Sequence, residues 1–214
     1  MRVLAKSAAI AGAALLAAGG AAATAAGATS ATAHPAVAHT SFQMVRSAAA
    51  VGANCLKGAH ATVTIQSQGP VEVMNVSAAN LPPKTDFDFF VIQVPNAPFG
   101  ISWYQGDLDS NSSGSAQGTF IGRFSIETFA VAPGAAPAPQ VFNSPPFPDA
   151  AKNPAFGPVQ MYHLGLWFNS PKNAAAAGCP STVTPFNGEH DAGVQALSTR
   201  NFSDQFGPLR QIQP

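Results

Sequence analysis

The chain has 214 residues, with 10 basic and 10 acidic side chains, and charged residues make up only 9% of it. That share lies far below the roughly 25% of an ordinary soluble protein, so uncharged polar and small residues must cover most of the surface. The balanced charge gives no electrostatic reason to expect nucleic acid or an anionic membrane as a partner.

The first 26 residues have the layout of a secretory signal peptide. Two positive charges, Arg2 and Lys6, precede an apolar run over 7–18 that is shorter than the roughly 20 residues of a membrane span. Ala-x-Ala endings place cleavage after residue 26, 33 or 38. No second apolar run of spanning length occurs in the sequence. We therefore expect a secreted, extracellular protein with no membrane span.

Residues 27–50 are rich in Ala, Ser and Thr and lack apolar periodicity, which predicts a flexible leader. Residues 51–214 are enough for one domain with a sizeable core. This domain contains two cysteines, Cys55 and Cys179. In an exported chain such a pair is typical of a disulfide, so we expect a bond closing a loop of about 125 residues. The alternatives are two free thiols or intermolecular pairing.

Over 60–66, polar and apolar residues alternate with the period of two that is typical of a half-buried strand, which predicts Ala61, Val63 and Ile65 on the inner face. Residues 86–94 are apolar on both faces from Phe89, as expected for a central strand. Residues 133–158 hold eight prolines and predict a long surface excursion. The predicted strands, in chain order, are 60–66, 71–78, 86–94, 99–105, 119–129, 159–168, 181–186 and 189–199. Seven or eight short strands predict an all-β, antiparallel β-sandwich, Ig-like or jelly-roll-like, closed by one disulfide.

One candidate site combines His163 with Glu189, His190 and Asp191. The last three follow a favoured hairpin turn, Asn187-Gly188. Two imidazoles and a carboxylate can hold a zinc ion, which would give a metal-dependent secreted hydrolase. The spacing matches no known metal signature, because adjacent strand residues point to opposite faces. The alternative is a hydrogen-bonded strand histidine beside a solvated turn.

A second candidate is the polar loop that carries Asp107, Asp109 and Asn111. Oxygen side chains at alternate positions of a glycine-containing loop are what calcium requires. The loop departs from the EF-hand pattern, because Ser112 stands where the tight-turn glycine belongs and Gly118 replaces the bidentate glutamate. The alternative is an ordinary hairpin loop. Apart from calcium or zinc at these two places, we expect no cofactor.

A third candidate is the aromatic set Trp103, Tyr104 and Trp167, which exposed on a sheet face would stack on the sugar rings of a polysaccharide. Aromatic residues at strand spacing more often belong to the core. Because Trp103 and Tyr104 are neighbours on a strand, they face opposite ways. One layer can therefore bury only one of them.

Enzyme signatures are largely absent from the sequence. It contains no Gly-x-Ser-x-Gly elbow, no His-Glu-x-x-His motif and no phosphate-binding glycine loop. Its three glutamates pair with no obvious aspartate for the acid/base work of a glycosidase. A pair of disulfide-bonded cysteines supplies no nucleophile. The sequence therefore favours a protein without catalytic activity.

Four stretches, 81–95, 98–107, 163–169 and 184–190, resemble a group of secreted proteins from high-GC Gram-positive bacteria that have no assigned activity. The resemblance covers about residues 62–210. It implies export and a shared domain, and it transfers no catalytic residue to this chain.

Together these features favour a secreted binding module for an extracellular or cell-envelope polymer, such as a polysaccharide, or for another secreted protein. The predicted binding surfaces are the loops 106–118 and 133–158, because loops on a rigid scaffold usually carry binding. The alternatives are the metal-dependent hydrolase that uses His163 and His190, and a structural envelope protein without a small ligand.

Overall fold

The computed structural model describes residues 38–124, 128–129, 159–184 and 191–212. The strands are β1 (His39–Arg46), β2 (His60–Gln68), β3 (Val71–Ala79), β4 (Phe87–Ile92), β5 (Ser102–Asp107), β6 (Ala116–Gly122), β7 (Thr128–Phe129), β8 (Val159–Gln160), β9 (His163–Phe168) and β10 (Gln195–Ser198). The helices are α1 (Ala48–Gly52), α2 (Pro171–Ala176) and a 3₁₀ turn at Pro208–Gln211. Within these ranges no helix has the length and apolar character needed to cross a membrane.

Eight of the strands form one antiparallel sheet in the order β5-β4-β9-β10-β1-β2-β3-β6, and β7 pairs separately with β8. The sheet curls until its two end strands nearly meet. A Cβ atom placed on Gly106 of β5 would lie 3.1 Å from the ring of Phe120 on β6. The Phe120 ring in turn stacks on Phe89 of β4, with 5.0 Å between ring centroids. The all-β, antiparallel prediction is confirmed.

The main core lies on the inner side of this sheet, where alternate residues of the strands point. In β2 the predicted inward residues Ala61, Val63 and Ile65 are all buried. Strands β4 and β9 are buried on both faces, as predicted for 86–94 from its continuous apolar run. Their outer faces form a second, smaller cluster made of Phe90, Ile92 and Trp167, with Phe99 packed against it.

The folded sheet begins earlier in the chain than the sequence predicts. Strand β1 lies within residues 27–50 and pairs with β2 from His39 to Met44. Every second residue of its first six is buried, including Phe42 and Met44. The prediction of a flexible leader is therefore wrong for residues 39–50. Phe42 and Met44, two residues apart, face the core from this interior strand, although the surrounding composition is that of a linker.

Other predicted elements differ in extent or fall outside the described residues. The predicted strand 119–129 is β6, which ends at Gly122, followed by the short β7 at Thr128–Phe129. The predicted strands 181–186 and 189–199 are represented by a single bridge from Thr184 to Ala192 and by β10. The predicted excursion at 133–158 and the predicted turn at Asn187-Gly188 lie outside the described residues.

Cys55 and Cys179 form the predicted disulfide, with 5.4 Å between their Cα atoms. Each cysteine lies three residues after the end of a short helix that begins with a serine cap. The hydroxyl of Ser47 accepts a hydrogen bond from Ala50 N in α1, and the hydroxyl of Ser170 accepts one from Asn173 N in α2. Such caps satisfy an amide that the first helical turn leaves unpaired.

Both helices also end in the same way, in a Schellman motif. The residue before each cysteine has a left-handed backbone, with φ of +55° at Asn54 and +72° at Gly178. The cysteine amide then donates to the carbonyl five residues back, from Cys55 to Ala50 (3.0 Å) and from Cys179 to Ala174 (2.9 Å). Two matched helix ends therefore hold the two halves of the disulfide in place.

Candidate functional site

His163, the centre of the predicted metal site, is fully buried at the start of β9. Its Nε2 lies 3.1 Å from the carbonyl oxygen of Asp204 and its Nδ1 lies 2.9 Å from the hydroxyl of Thr199. Because a carbonyl can only accept, Nε2 carries the proton, and Nδ1 accepts from the hydroxyl. Burial lowers the pKa of His163 to about 4, although its backbone hydrogen bonds act in the opposite direction. The ring is neutral at pH 7 and offers no free lone pair to a metal.

The other predicted zinc ligands do not complete a site in the described part of the chain. Glu189 and His190 lie outside the described residues, and Asp191 is exposed. Within the described ranges, no three His, Cys, Asp or Glu side chains are grouped so that they could hold a metal ion. The described structure therefore gives the hydrolase hypothesis no metal centre around His163.

The predicted calcium ligands all use side-chain oxygens in hydrogen bonds within the protein. Asn111 Oδ1 accepts hydrogen bonds from Ser113 N (2.9 Å), Ser113 Oγ (2.7 Å) and Ser115 N (3.1 Å), so it fixes a turn. Asp107 Oδ1 accepts one from the hydroxyl of Tyr104 at 2.6 Å. Burial raises the pKa of Asp109, and the nearby carboxylates of Asp86 and Asp107 raise it further, while a hydrogen bond from the backbone of Phe87 acts in the opposite direction. The loop is thus a hydrogen-bonded turn with acidic side chains beside it.

The predicted ligand-stacking aromatics divide into two groups. Trp103 and Tyr104 are both about half exposed, at 45% and 47%, on the end strand β5. Trp167 is completely buried and contacts Phe90 and Phe99 edge-on, with centroid distances of 5.4 and 5.0 Å. Contrary to the prediction, Trp167 belongs to the core and cannot stack on a ligand.

The exposed face of β1, β2, β3 and β6 carries a regular set of uncharged polar side chains, which are not among the predicted site residues. Strand register aligns them in two rows that cross all four strands. The Thr62 row contains Gln43, Thr62, Ser77 and Gln117, and the Thr64 row contains Ser41, Thr64, Asn75 and Thr119. All eight are hydroxyl or amide side chains, and none is charged. We call these two rows the polar face.

Hydrogen bonds between neighbouring strands hold parts of the polar face in position. Gln43 Nε2 donates to Thr62 Oγ1 at 2.8 Å, within the Thr62 row. Thr119 Oγ1 donates to Asn75 Oδ1 at 2.7 Å, within the Thr64 row. A shallow groove of about 390 Å³ runs over β2, β3 and β6, and six of the eight polar-face residues line it. The groove floor is therefore fixed by sheet register and by side-chain hydrogen bonds.

An apolar strip borders the Thr64 row on one side. Ile121 of β6 is 69% exposed, and its cross-strand partner on β3 is Val73, which is partly exposed. The same row continues to Gln66 on β2 and His39 on β1. The two rows of hydrogen-bonding groups therefore lie beside the apolar strip of Ile121 and Val73 on one accessible surface.

A signal for this surface exists in the sequence, at the outward positions of three strands. The alternation used to predict the core from Ala61, Val63 and Ile65 also puts Thr62 and Thr64 on the other face.

No protein-family model matches the chain, and no curated protein matches it significantly. The chemistry of the described residues therefore carries the functional argument.

Proposed function

We propose that the protein is a secreted binding module for an uncharged polymer or protein of the cell envelope or extracellular space, and that the polar face is its binding surface. The proposal rests on one observation: eight hydroxyl and amide side chains lie in register across four strands without a charge among them. In a domain with so few charged residues, this face offers hydrogen bonds without selecting a charged ligand.

The scaffold we propose is a two-layer sandwich. One layer consists of β1, β2, β3 and β6, and the other of β5, β4, β9 and β10. In support, β1 pairs with β2 up to Met44 and then with β10 through Val45 and Arg46, so it passes from one layer to the other. In this arrangement the polar face is the outer surface of the first layer. The disulfide fits a module that works outside the cell, where chaperones and reductants are scarce.

Preorganisation favours binding at this face over binding at the loops. Side chains that are already hydrogen-bonded to one another lose little rotational freedom when a ligand arrives, and that loss otherwise weakens association. Thr62 and Asn75 are held in this way on strands with continuous backbone pairing. A sheet surface therefore presents its groups at fixed spacing, which suits a repetitive ligand.

A sedimentation assay with insoluble envelope material from a Gram-positive bacterium tests the proposal. Thr119→Lys places an ammonium group on the polar face, and Thr182→Lys makes the same change at an exposed residue outside the strands. We expect the wild type and Thr182→Lys to sediment with the material. We expect Thr119→Lys to bind at least tenfold more weakly, which corresponds to about 1.4 kcal/mol.

Circular dichroism and thermal denaturation of both variants establish that they are folded before binding is compared. Equal binding by Thr119→Lys and Thr182→Lys would remove the polar face as the site. Absence of wild-type binding to every envelope fraction would contradict the proposed function as a whole.

A further inference from the structure

We propose that the ligand of the polar face is a neutral polysaccharide chain that lies across the strands, along the two rows. This inference rests on the proposed function and names the chemical class of its ligand.

The hydrogen-bonding chemistry of the rows matches that of sugars. Serine and threonine hydroxyls and asparagine and glutamine amides all both donate and accept hydrogen bonds. Sugar hydroxyls do the same, so each group on the face can pair with a ligand group in either sense. An anionic polymer would instead need arginine or lysine, and a cationic one would need carboxylates. Neither occurs among the eight residues of the rows.

The spacing of the rows suits a repeating chain. Neighbouring strands are about 4.8 Å apart, so four strands present one row over about 14 Å. A sugar unit in an extended polysaccharide has a length similar to one strand spacing. Residues two apart on a strand are separated by about 6.8 Å, which sets the distance between the Thr62 and Thr64 rows. One extended chain along the groove can therefore meet hydrogen-bonding groups on both of its edges.

The apolar strip beside the Thr64 row provides the second element of sugar recognition. Pyranose rings have faces made of C–H groups, which pack against apolar side chains once water is displaced. Ile121, at 69% exposure, and Val73 offer such a contact directly beside Thr119 and Asn75. A polar ligand without apolar faces would gain nothing from this strip.

A protein partner fits the same surface less well. The centre of a protein–protein interface is typically rich in aromatic residues, methionine and arginine. None of these residue types occurs in the two rows, and among the described residues Ile121 is the one strongly exposed large apolar residue beside them. The observations therefore favour the polysaccharide.

Chemical treatment of the envelope material separates the two classes of ligand. Periodate oxidation cleaves the carbon–carbon bond between adjacent hydroxyl-bearing carbons of sugars, whereas protease digestion removes proteins. We expect periodate to reduce binding of the wild-type protein at least tenfold and protease to leave it unchanged. We also expect less than a twofold change in Kd between 50 and 500 mM NaCl, because contacts between uncharged groups are not screened by salt.

An isosteric pair of variants locates the effect. Gln117→Glu adds a negative charge to the Thr62 row, and Gln205→Glu adds one at an exposed position outside the sheet. We expect about tenfold weaker binding to protease-treated material for Gln117→Glu and wild-type binding for Gln205→Glu. Ile121→Ser should weaken binding as well, because it removes the apolar strip.

The outcomes distinguish this inference from the proposed function. Binding that survives periodate and is lost on protease digestion would overturn the polysaccharide while leaving a binding module. Binding that decreases strongly with salt would indicate a charged polymer and would also overturn it. Absence of binding to untreated material would remove both proposals together.

Discussion

Removing the Cys55–Cys179 bond should strongly lower the free energy of unfolding, by an amount that follows from the length of the loop that the bond closes. The two cysteines are 124 residues apart in the sequence. Cross-linking a loop of this length restricts the unfolded chain, which in the chain-entropy model stabilises the fold by about 5 kcal/mol. That is comparable to the whole free energy of unfolding of many single domains, about 5–15 kcal/mol.

The double variant Cys55→Ala/Cys179→Ala isolates this contribution. Both cysteines are nearly buried, at 7% exposure, and their positions are also set by the hydrogen bonds to Ala50 and Ala174. Loss of the bond should therefore leave the native helices in place and act mainly through the unfolded chain. We expect a native circular dichroism spectrum at low denaturant concentration and a much lower unfolding midpoint in urea.

Urea denaturation measures the effect. With a slope of about 2 kcal/mol/M, a loss of about 5 kcal/mol lowers the unfolding midpoint by about 2.5 M. The wild type in excess reductant should show the same shift, since reduction opens the same loop. A midpoint that moves by less than about 0.5 M in both experiments would refute the assignment of this bond as the main constraint on the unfolded chain.

Three further predictions concern stability. Gly178→Ala should lower the free energy of unfolding by about 1 kcal/mol, because φ is +72° there while the added Cβ meets no atom within 4 Å. The converse change at the matching site, Asn54→Gly, should not destabilise the protein. Equal urea midpoints for wild type and Gly178→Ala would count against the helix-end assignment. Gly165→Ala should lower the free energy of unfolding by about 1–3 kcal/mol, because the added Cβ would collide with the Trp167 ring and lie 2.9 Å from Gln195 Nε2. Gly52→Ala, which has open space around it, is the control in thermal denaturation. Equal melting temperatures for the two variants would contradict the packing around Gly165. The pKa of His163 is about 4 in the fold and about 6.5 in the unfolded chain, so the unfolded state binds a proton at a higher pH, and the free energy of unfolding should fall by about 2 kcal/mol between pH 7 and 5. His163→Gln should remove this pH dependence in urea titrations at the two pH values. An unchanged pH dependence in that variant would exclude His163 as its source.

Local alternation predicted much of the fold. In β2 the burial pattern follows the alternation of apolar positions, because only one face of this pleated strand meets the core. In β4 the continuous apolar run from Phe89 matches burial on both faces. The Cys55–Cys179 pairing was predictable because a chain with two cysteines has one intramolecular choice. Strand β1 was missed because Phe42 and Met44 lie in an Ala/Ser/Thr-rich segment, where the surrounding composition outweighed a six-residue alternation.

The short helices and the polar face depend on relations that a single segment does not contain. Helices of five and six residues are too short for a periodic pattern, and their sequence signals are the capping serines, Pro171 at the start of α2 and Gly178. The polar face exists because β6 pairs with β3, which aligns Thr119 with Asn75 across 44 residues of chain. Strand order determines this juxtaposition, and alternation within one strand says nothing about it.

The most direct test of the binding surface is a residue-by-residue map of the contact. Backbone amide chemical shifts of the ¹⁵N-labelled protein should be followed while soluble fragments of envelope polysaccharide are added. We predict that the largest changes cluster on β2, β3 and β6, at Thr62, Thr64, Asn75, Gln117 and Thr119. Changes that concentrate instead on Trp103 and Tyr104 of β5, with the polar face unaffected, would contradict the account.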